Sequence, residues 1–448
     1  MRVLVFEGVA ACPHTETSTE IAIKETLYGS VVFYFPAFLY TTHQFWRSNV
    51  NGNASLGSKN VDWWKYLTEY VLPFSQIVTL SEREIRDCYN HTRRDEFEEL
   101  DLANYCRALS HSMVETPLNS ETEETLKLSD AIALVTKQSC LLLRLVIDKV
   151  RPDLIYVFNG RNPEAWPCYK LFRNLGPDCV FHERGATYKQ YALFDAPPAY
   201  IGPWQRAYRE WNSKLLTRND EIESALFFRR QEVGRLKNFS PYNTRYNQAR
   251  YNIKNLNWES SAVFFSSSNF EIQSVPDSDV WNELGDQHSV VVTLYEVCRS
   301  LGVPLVIRLH PHSGQYDAET FESLANNIDC FVIKASDEIS SYYIAKMARY
   351  RFTVGSTITW ELMYRGLSCG VLANTFASGE VGITELNTVE RIYQFMSETP
   401  TADSTIRLAS KCGLFLSTFG YSYDFFQPED EFRGKFNLSD LASLVRAD

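Results

Sequence analysis

The chain has 448 residues, too many for one hydrophobic core, which stops growing at roughly 250–300 residues, so two domains are expected. With 45% apolar and 14% aromatic residues and no low-complexity tract, a disordered chain is excluded. The net charge of −11 and pI near 5.4 exclude a general nucleic-acid binder, which would carry a basic surface, so an anionic ligand needs a local basic pocket.

The ten cysteines, among them Cys12, Cys88, Cys140, Cys298 and Cys412, form no C-x-x-C pair and have no histidine at zinc-finger spacing. They read as buried thiols of a reducing cytosol. The first residues meet Glu7 too early for a signal peptide and read as a first strand. The apolar stretch 31–40 is broken by Pro36 and falls short of the roughly 20 residues that span a bilayer. Membrane contact would therefore be peripheral, and Phe227-Phe228-Arg229-Arg230 with Arg235 and Lys237 is the candidate patch.

Short apolar runs at 3–6 and 31–35 begin an α/β pattern. Residues 131–150 have helical spacing, and Arg151-Pro152-Asp153 ends that helix. A buried strand at 154–158 follows and ends in Asn159-Gly160-Arg161. A helix from about Pro163 and a strand at 179–181 lead to His182-Glu183-Arg184-Gly185. Residues 238–258 are rich in Asn, Tyr, Arg and Ser around Pro241, which predicts an interdomain linker between domains at 1–240 and 258–448. The C-terminal tail is expected to pack back on the first domain.

Beyond the linker the alternation is regular, with strands at 262–265, 305–309, 330–333, 351–354 and 370–372, as in a parallel doubly wound sheet. Ligands of such sheets lie outside the carboxyl ends of the strands. After 305–309 come His310, Pro311 and His312. Arg308 and His310 share one face, a guanidinium and an imidazole suited to a phosphate. After 351–354, Gly355 allows close backbone approach, and Ser356 and Thr357 are expected to cap a helix whose N-terminus favours anions. Ser266, Ser267 and Ser268 follow the strand at 262–265, either as a sugar or phosphate loop or as a plain turn, and Gln287 could join them. In the first domain, Asn159, Gly160, Arg161 and Gly185 mark the strand ends. Glu183 is the candidate acid, base or nucleophile there, unless it only pairs with Arg161 or Arg184.

No Gly-x-Gly-x-x-Gly follows the first strand and no Gly-Lys-Ser/Thr loop occurs, which argues against dinucleotide oxidoreductases and P-loop ATPases. No Asp-x-Asp occurs either, which favours holding a leaving phosphate by side chains and a helix dipole, with no metal or other cofactor.

Glu183-x-Gly185, Arg308-x-His310-Pro311 and Gly355-Ser356-Thr357 together resemble the GT-B sialyltransferase and Kdo-transferase superfamily, nearest to the bacterial capsule polysaccharide biosynthesis group. Phe158-Asn159-Gly160-Arg161 and Phe265-Ser266-Ser267-Ser268 extend the likeness over roughly residues 150–370. The resemblance implies a GT-B fold of two Rossmann-like domains facing across a cleft. It implies that His310, Ser356 and Thr357 hold the phosphate of a CMP-sugar and that Glu183 is the acid of the first domain. The implied reaction is transfer of a Kdo-like sugar to a surface polysaccharide or glycolipid, in the cytoplasm at the inner face of the membrane. Sialyltransferases carry two consecutive acids before the glycine; this chain has Glu183-Arg184-Gly185. A CDP-glycerol-type polymer phosphotransferase with His182 as base and a non-catalytic glycan-binding scaffold are the alternatives.

Overall fold

The computed structural model describes residues 1–8, 13–40, 63–91, 101–113, 121–175, 177–212, 217–232, 256–268, 274–276, 278–310, 313, 315–328, 330–337, 339–397, 402–430 and 433–437. The chain divides into two compact units. The first comprises Met1–Ser110, Glu123–Ala199 and Thr418–Asp448; the second comprises His111–Thr122 and Tyr200–Ser417.

The first unit is built on β1 (Arg2–Glu7), β2 (Val31–Pro36), β3 (Gln76–Ile77), β4 (Leu154–Phe158), β5 (Asp178–Arg184) and β6 (Gln190–Phe194). Strands β3–β2–β1–β4–β5 run parallel in that order, and β6 closes antiparallel on β5. Val3, Leu4, Val5 and Phe6 are all buried, as expected of a central strand covered on both faces. The helix Glu123–Val150 starts earlier than its apolar pattern suggests and buries Leu128, Ile132, Val135, Leu142 and Val146 at helical spacing. Its end is fixed by Arg2, whose Nε donates to the Val150 carbonyl at 2.8 Å, while the Arg2 N–H donates to Asp153 at 2.7 Å. A cation thus meets the negative end of the helix dipole beside β1.

The helix His14–Leu27 buries a polar face: Thr15, Thr17, Ser18, Thr19 and Glu20. Burial is tolerated because these groups are bonded. Thr17 donates to the Pro13 carbonyl and Thr19 to that of Thr15, each at 2.9 Å. Fully buried Glu20 accepts main-chain N–H groups from Asp424 at 2.7 Å, Phe425 at 3.1 Å and Phe426 at 2.9 Å, and pairs with Lys24 at 3.3 Å. Lys24 also reaches Asp424 at 2.8 Å. The strand Tyr421–Ser422 completes the docking by pairing antiparallel with β6.

The second unit holds β7 (Ala262–Phe265), β8 (Leu305–Arg308), β9 (Phe331–Ile333), β10 (Tyr350–Thr353), β11 (Gly370–Val371) and β12 (Thr384–Glu385), all parallel, in the order β9–β8–β7–β10–β11–β12. This is the 3-2-1-4-5-6 order of a dinucleotide-binding sheet, with its switch point between β7 and β10. Phe264, Ile307, Phe352, Leu294 and Phe321 form the core, each contributing roughly 1.5–3 kcal/mol of burial.

The helices Ile201–Asn212 and Arg218–Glu232 belong to this unit, through contacts such as Ser224 Oγ to the Ser410 carbonyl at 2.7 Å. The change of unit falls at Ala199/Tyr200; residues 238–255 of the expected linker lie outside the described residues. Phe227 and Phe228 are buried, Phe228 stacking on Tyr364 at 4.2 Å between centroids, while Arg229 and Arg230 are exposed. The expected membrane patch therefore lacks its apolar half, because the two rings fill the core; Arg235 and Lys237 lie outside the described residues. Among the described residues no helix is long and apolar enough to cross a membrane.

Candidate functional site

The carboxyl edge of the second sheet gathers most of the residues singled out in the sequence. Ser266 leaves β7, its N–H donating to the Arg308 carbonyl at 3.0 Å, and its Oγ accepts the His310 N–H at 2.8 Å. The starting point of the His310 side chain is thus tied to β7. Gln287, buried in the first turn of the helix Gln287–Ser300, grips Ser267 twice: Oε1 accepts the Ser267 N–H at 2.6 Å and Nε2 donates to its carbonyl at 3.0 Å. Ser268 is buried beside them. Gln287 and the three serines form a fixed loop, and the polar capacity of Gln287 is used in holding it.

Arg308 is buried and donates to the main-chain carbonyls of Lys334, Asp337 and Ile339. The hydrogen bonds described for this side chain thus go to the main chain, at the strand end where the sequence suggests a phosphate contact beside His310. Its fork holds the segment after β9, because three converging carbonyls match its planar donors. Pro311 and His312 lie outside the described residues.

At the end of β10, Gly355 adopts φ +82°, and a Cβ there would stand 2.5 Å from Thr375 Cγ2. Only glycine suits both conditions. Ser356 precedes the helix Thr357–Tyr364 in extended conformation, yet its hydroxyl does not cap the helix. Ser356 Oγ is buried without a hydrogen-bond partner among the described residues. So are Ser313 Oγ and Ser340 Oγ, which follow β8 and β9. Buried orphaned hydroxyls are costly, and three of them after strands on both sides of β7 suit a polar ligand. Thr357 opens the helix and is partly buried. Buried behind it, Glu361 accepts from Tyr342 Oη at 2.6 Å; burial raises its pKa, opposed by Tyr342 and Arg365. Sequence reasoning missed Ser313, Ser340 and Glu361, although Ser340-Ser341 before an apolar helical run is a legible N-cap signal.

In the first unit β5 runs on through Arg184, so His182 and Glu183 are strand residues rather than part of a loop after the strand; pairing with β6 prolongs the ladder. Asn159 and Gly160 take φ of +58° and +76° at the end of β4. Asn159 Nδ2 donates to Glu183 Oε2, and the Arg184 N–H donates to Glu183 Oε1 at 2.9 Å. Arg161 N–H donates to Asn159 Oδ1 at 3.3 Å. Gly185 lies so close to Gln190 that a Cβ would come within 2.7 Å of its Cβ.

His182 is fully buried and bonds Ser18 Oγ through Nε2 at 3.0 Å, and burial pushes its pKa down to about 3. His14, at the start of its helix, stacks on Phe158 with centroids 3.6 Å apart. Its pKa lies well below the usual range, chiefly through burial, then through Arg184, His182 and Arg161.

No protein-family model matches the sequence, and no curated protein matches it. Among solved structures, the chain is similar to the Thermosulfurimonas dismutans KpsC beta Kdo 2,4 transferase, with a TM-score of 0.38 and 9% identity over 66% of this chain and 87% of that one. It is also similar to the Methanocaldococcus jannaschii UDP-GlcNAc 2-epimerase, with a TM-score of 0.32 and 13% identity over 91% and 98%. A glycosyltransferase from Rickettsia africae gives a TM-score of 0.29 and 8% identity over 92% and 93%. At these scores the likeness assigns no activity to this chain.

Proposed function

We propose that the chain is a GT-B glycosyltransferase that transfers a sugar from a nucleotide-activated donor, in the most specific form a CMP-activated Kdo-like acid, to a surface polysaccharide or glycolipid. The observation that carries this reading is the convergence of His310, the Ser266–Ser268 loop, Gly355 and the orphaned Ser356 hydroxyl around the switch point of a 3-2-1-4-5-6 sheet. The helix N-terminus and Ser356 receive the donor phosphate, and His310 hydrogen-bonds or protonates it as it departs. Arg308 positions the neighbouring segment through its three carbonyls. Glu183 is the acceptor-side carboxylate, either a general base or a nucleophile, oriented by Asn159 and the Arg184 N–H.

The polymer-phosphotransferase alternative needs His182 as base. With its imidazole buried and its pKa near 3, His182 is a weak base engaged with Ser18. The scaffold alternative differs in outcome: it binds a nucleotide without turnover. A cytoplasmic location is supported by eight described cysteines that are all free thiols. Incubating the purified chain with nucleotide-sugars and with CDP-glycerol tests the assignment. Released sugar supports it; released glycerol phosphate, or no turnover of any donor, contradicts it.

A further inference from the structure

The chain re-enters the first unit at Thr418 and runs against the turn that follows Glu183 and Arg184. There the Ala186 N–H donates to the Phe419 carbonyl at 3.0 Å. Gly420 takes φ +104°, and a Cβ on it would stand 2.6 Å from the Tyr191 carbonyl oxygen and 3.2 Å from the Gly185 Cα. A Cβ on Gly185 would in turn stand 3.1 Å from the Phe419 carbonyl oxygen. The two glycines let one backbone lie directly on the other. Beyond Gly420, residues 422–426 meet the helix His14–Leu27, where Thr17, Glu20 and Lys24 share a face by their spacing. Fully buried Glu20 accepts the N–H groups of Asp424, Phe425 and Phe426, three successive amides around one carboxylate, and these bonds compensate its burial. Lys24 binds the Asp424 carboxylate at 2.8 Å. The single Thr17 hydroxyl proton goes to the Pro13 carbonyl, so Tyr423 Oη donates to Thr17 Oγ at 2.7 Å. On the adjacent face of the helix, four residues apart, His14 stacks on Phe158 and Ser18 bonds His182. Phe158 and His182 are register partners in β4 and β5, immediately before Asn159 and Glu183.

We propose that residues 419–426 are a strap that sets the strand end carrying Glu183, and that Glu20 is the positioning residue that fastens it. The strap acts along two routes. One is direct, from Phe419 and Gly420 onto Gly185 and Ala186, the residues that follow Arg184. The other runs through the helix: Glu20 and Thr17 tie it to the strap, and His14 and Ser18 tie it to Phe158 and His182. No hydrogen bond described for Glu20 reaches Glu183 or Asn159, so its effect passes through these intermediaries. A carboxylate suits the task because it accepts from several converging donors at once, which neither an amide nor a hydroxyl can do. That the edge so held belongs to a transferase rests on the reading above; the strap's hold on the edge does not.

The test combines amide hydrogen exchange over residues 419–426 with the ring NMR signals of His14 and His182, both in the full chain. Glu20→Gln keeps the side-chain shape but turns an amide NH2 toward converging N–H donors. Exchange at Asp424–Phe426 should speed up at least about tenfold, and both histidine signals should shift. Glu20→Asp keeps the charge and should recover part of both effects. Gly420→Ala loosens the strap from its other end and should move the same two signals. A thermal midpoint within a few degrees of wild type shows that each variant is folded; should Glu20→Gln not fold, Tyr423→Phe, which removes only the hydroxyl given to Thr17, carries the test through the His14 signal. Unchanged exchange in Glu20→Gln, or faster exchange with both histidine signals in place, overturns the proposal. Turnover, measured separately, should fall in Glu20→Gln with nucleotide affinity kept. If the histidine signals follow the strap while wild type turns over no donor, the transferase reading fails and the strap stands.

Discussion

The His310 N–H donates to Ser266 Oγ at 2.8 Å, so the residue that carries the imidazole is anchored to the end of the neighbouring strand. Ser266→Ala removes that acceptor and leaves a partly buried N–H unpaired. A loss of about 1 kcal/mol in stability is expected, with weaker nucleotide binding. Urea denaturation alongside nucleotide titration checks both effects; unchanged affinity would mean that His310 needs no such anchor.

Gly355 tests the close approach at β10. Alanine there must hold φ +82° and fit a Cβ 2.5 Å from Thr375 Cγ2, and Thr375 is buried with its hydroxyl accepting the Ala377 N–H. Gly355→Ala should cost at least about 1–3 kcal/mol and abolish measurable nucleotide binding. A variant as stable as wild type would show that the backbone can relax.

Glu183→Gln preserves shape and one acceptor oxygen while removing the charge. Turnover should fall about 10²-fold or more, with fold and nucleotide affinity kept. Near-normal turnover would reduce Glu183 to a partner of Asn159. Chelation with EDTA should leave turnover unchanged, since the proposed mechanism uses no metal.

His182 gives the protein a pH dependence of definite sign. Its folded pKa near 3 lies below the ordinary value of 6.5, so between these values the unfolded chain binds more protons. Stability is therefore full above about pH 6.5 and falls as pH drops toward 3, by about 2 kcal/mol between pH 7 and pH 5 from this residue. His14, shifted the same way, adds to the trend. Urea midpoints at pH 5 and pH 7 should differ less in His182→Gln than in wild type; an identical difference would remove His182 as the cause.

Much of the second unit is legible in the sequence because each strand is a short apolar run followed by polar residues, and Gly355 marks a turn that only glycine makes readily. The polar helix His14–Leu27 is not, since it lacks apolar periodicity and is stabilised by partners far along the chain, such as Asp424 on Glu20. Arg308 has the right residue type and strand position, but its direction was set by the segment after β9, which no local pattern encodes. The sequence also could not assign the helices at 201–232 to the second unit, because packing such as Phe228 on Tyr364 joins distant segments. Glu183 is legible as a candidate from its place near a strand end, whereas the extension of its strand depends on pairing with β6.

The central claim is that the second unit holds a donor nucleotide through His310 and Ser356, and thermal shift with CMP, UDP, GDP and CDP addresses it most directly. Binding to the native state raises the unfolding midpoint by mass action, so one nucleotide, CMP in the most specific form, should stabilise wild type. His310→Ala and Ser356→Ala should weaken that binding at least about tenfold while keeping the unliganded fold. No shift with any of the four nucleotides, or the same shift in both variants, would contradict the account.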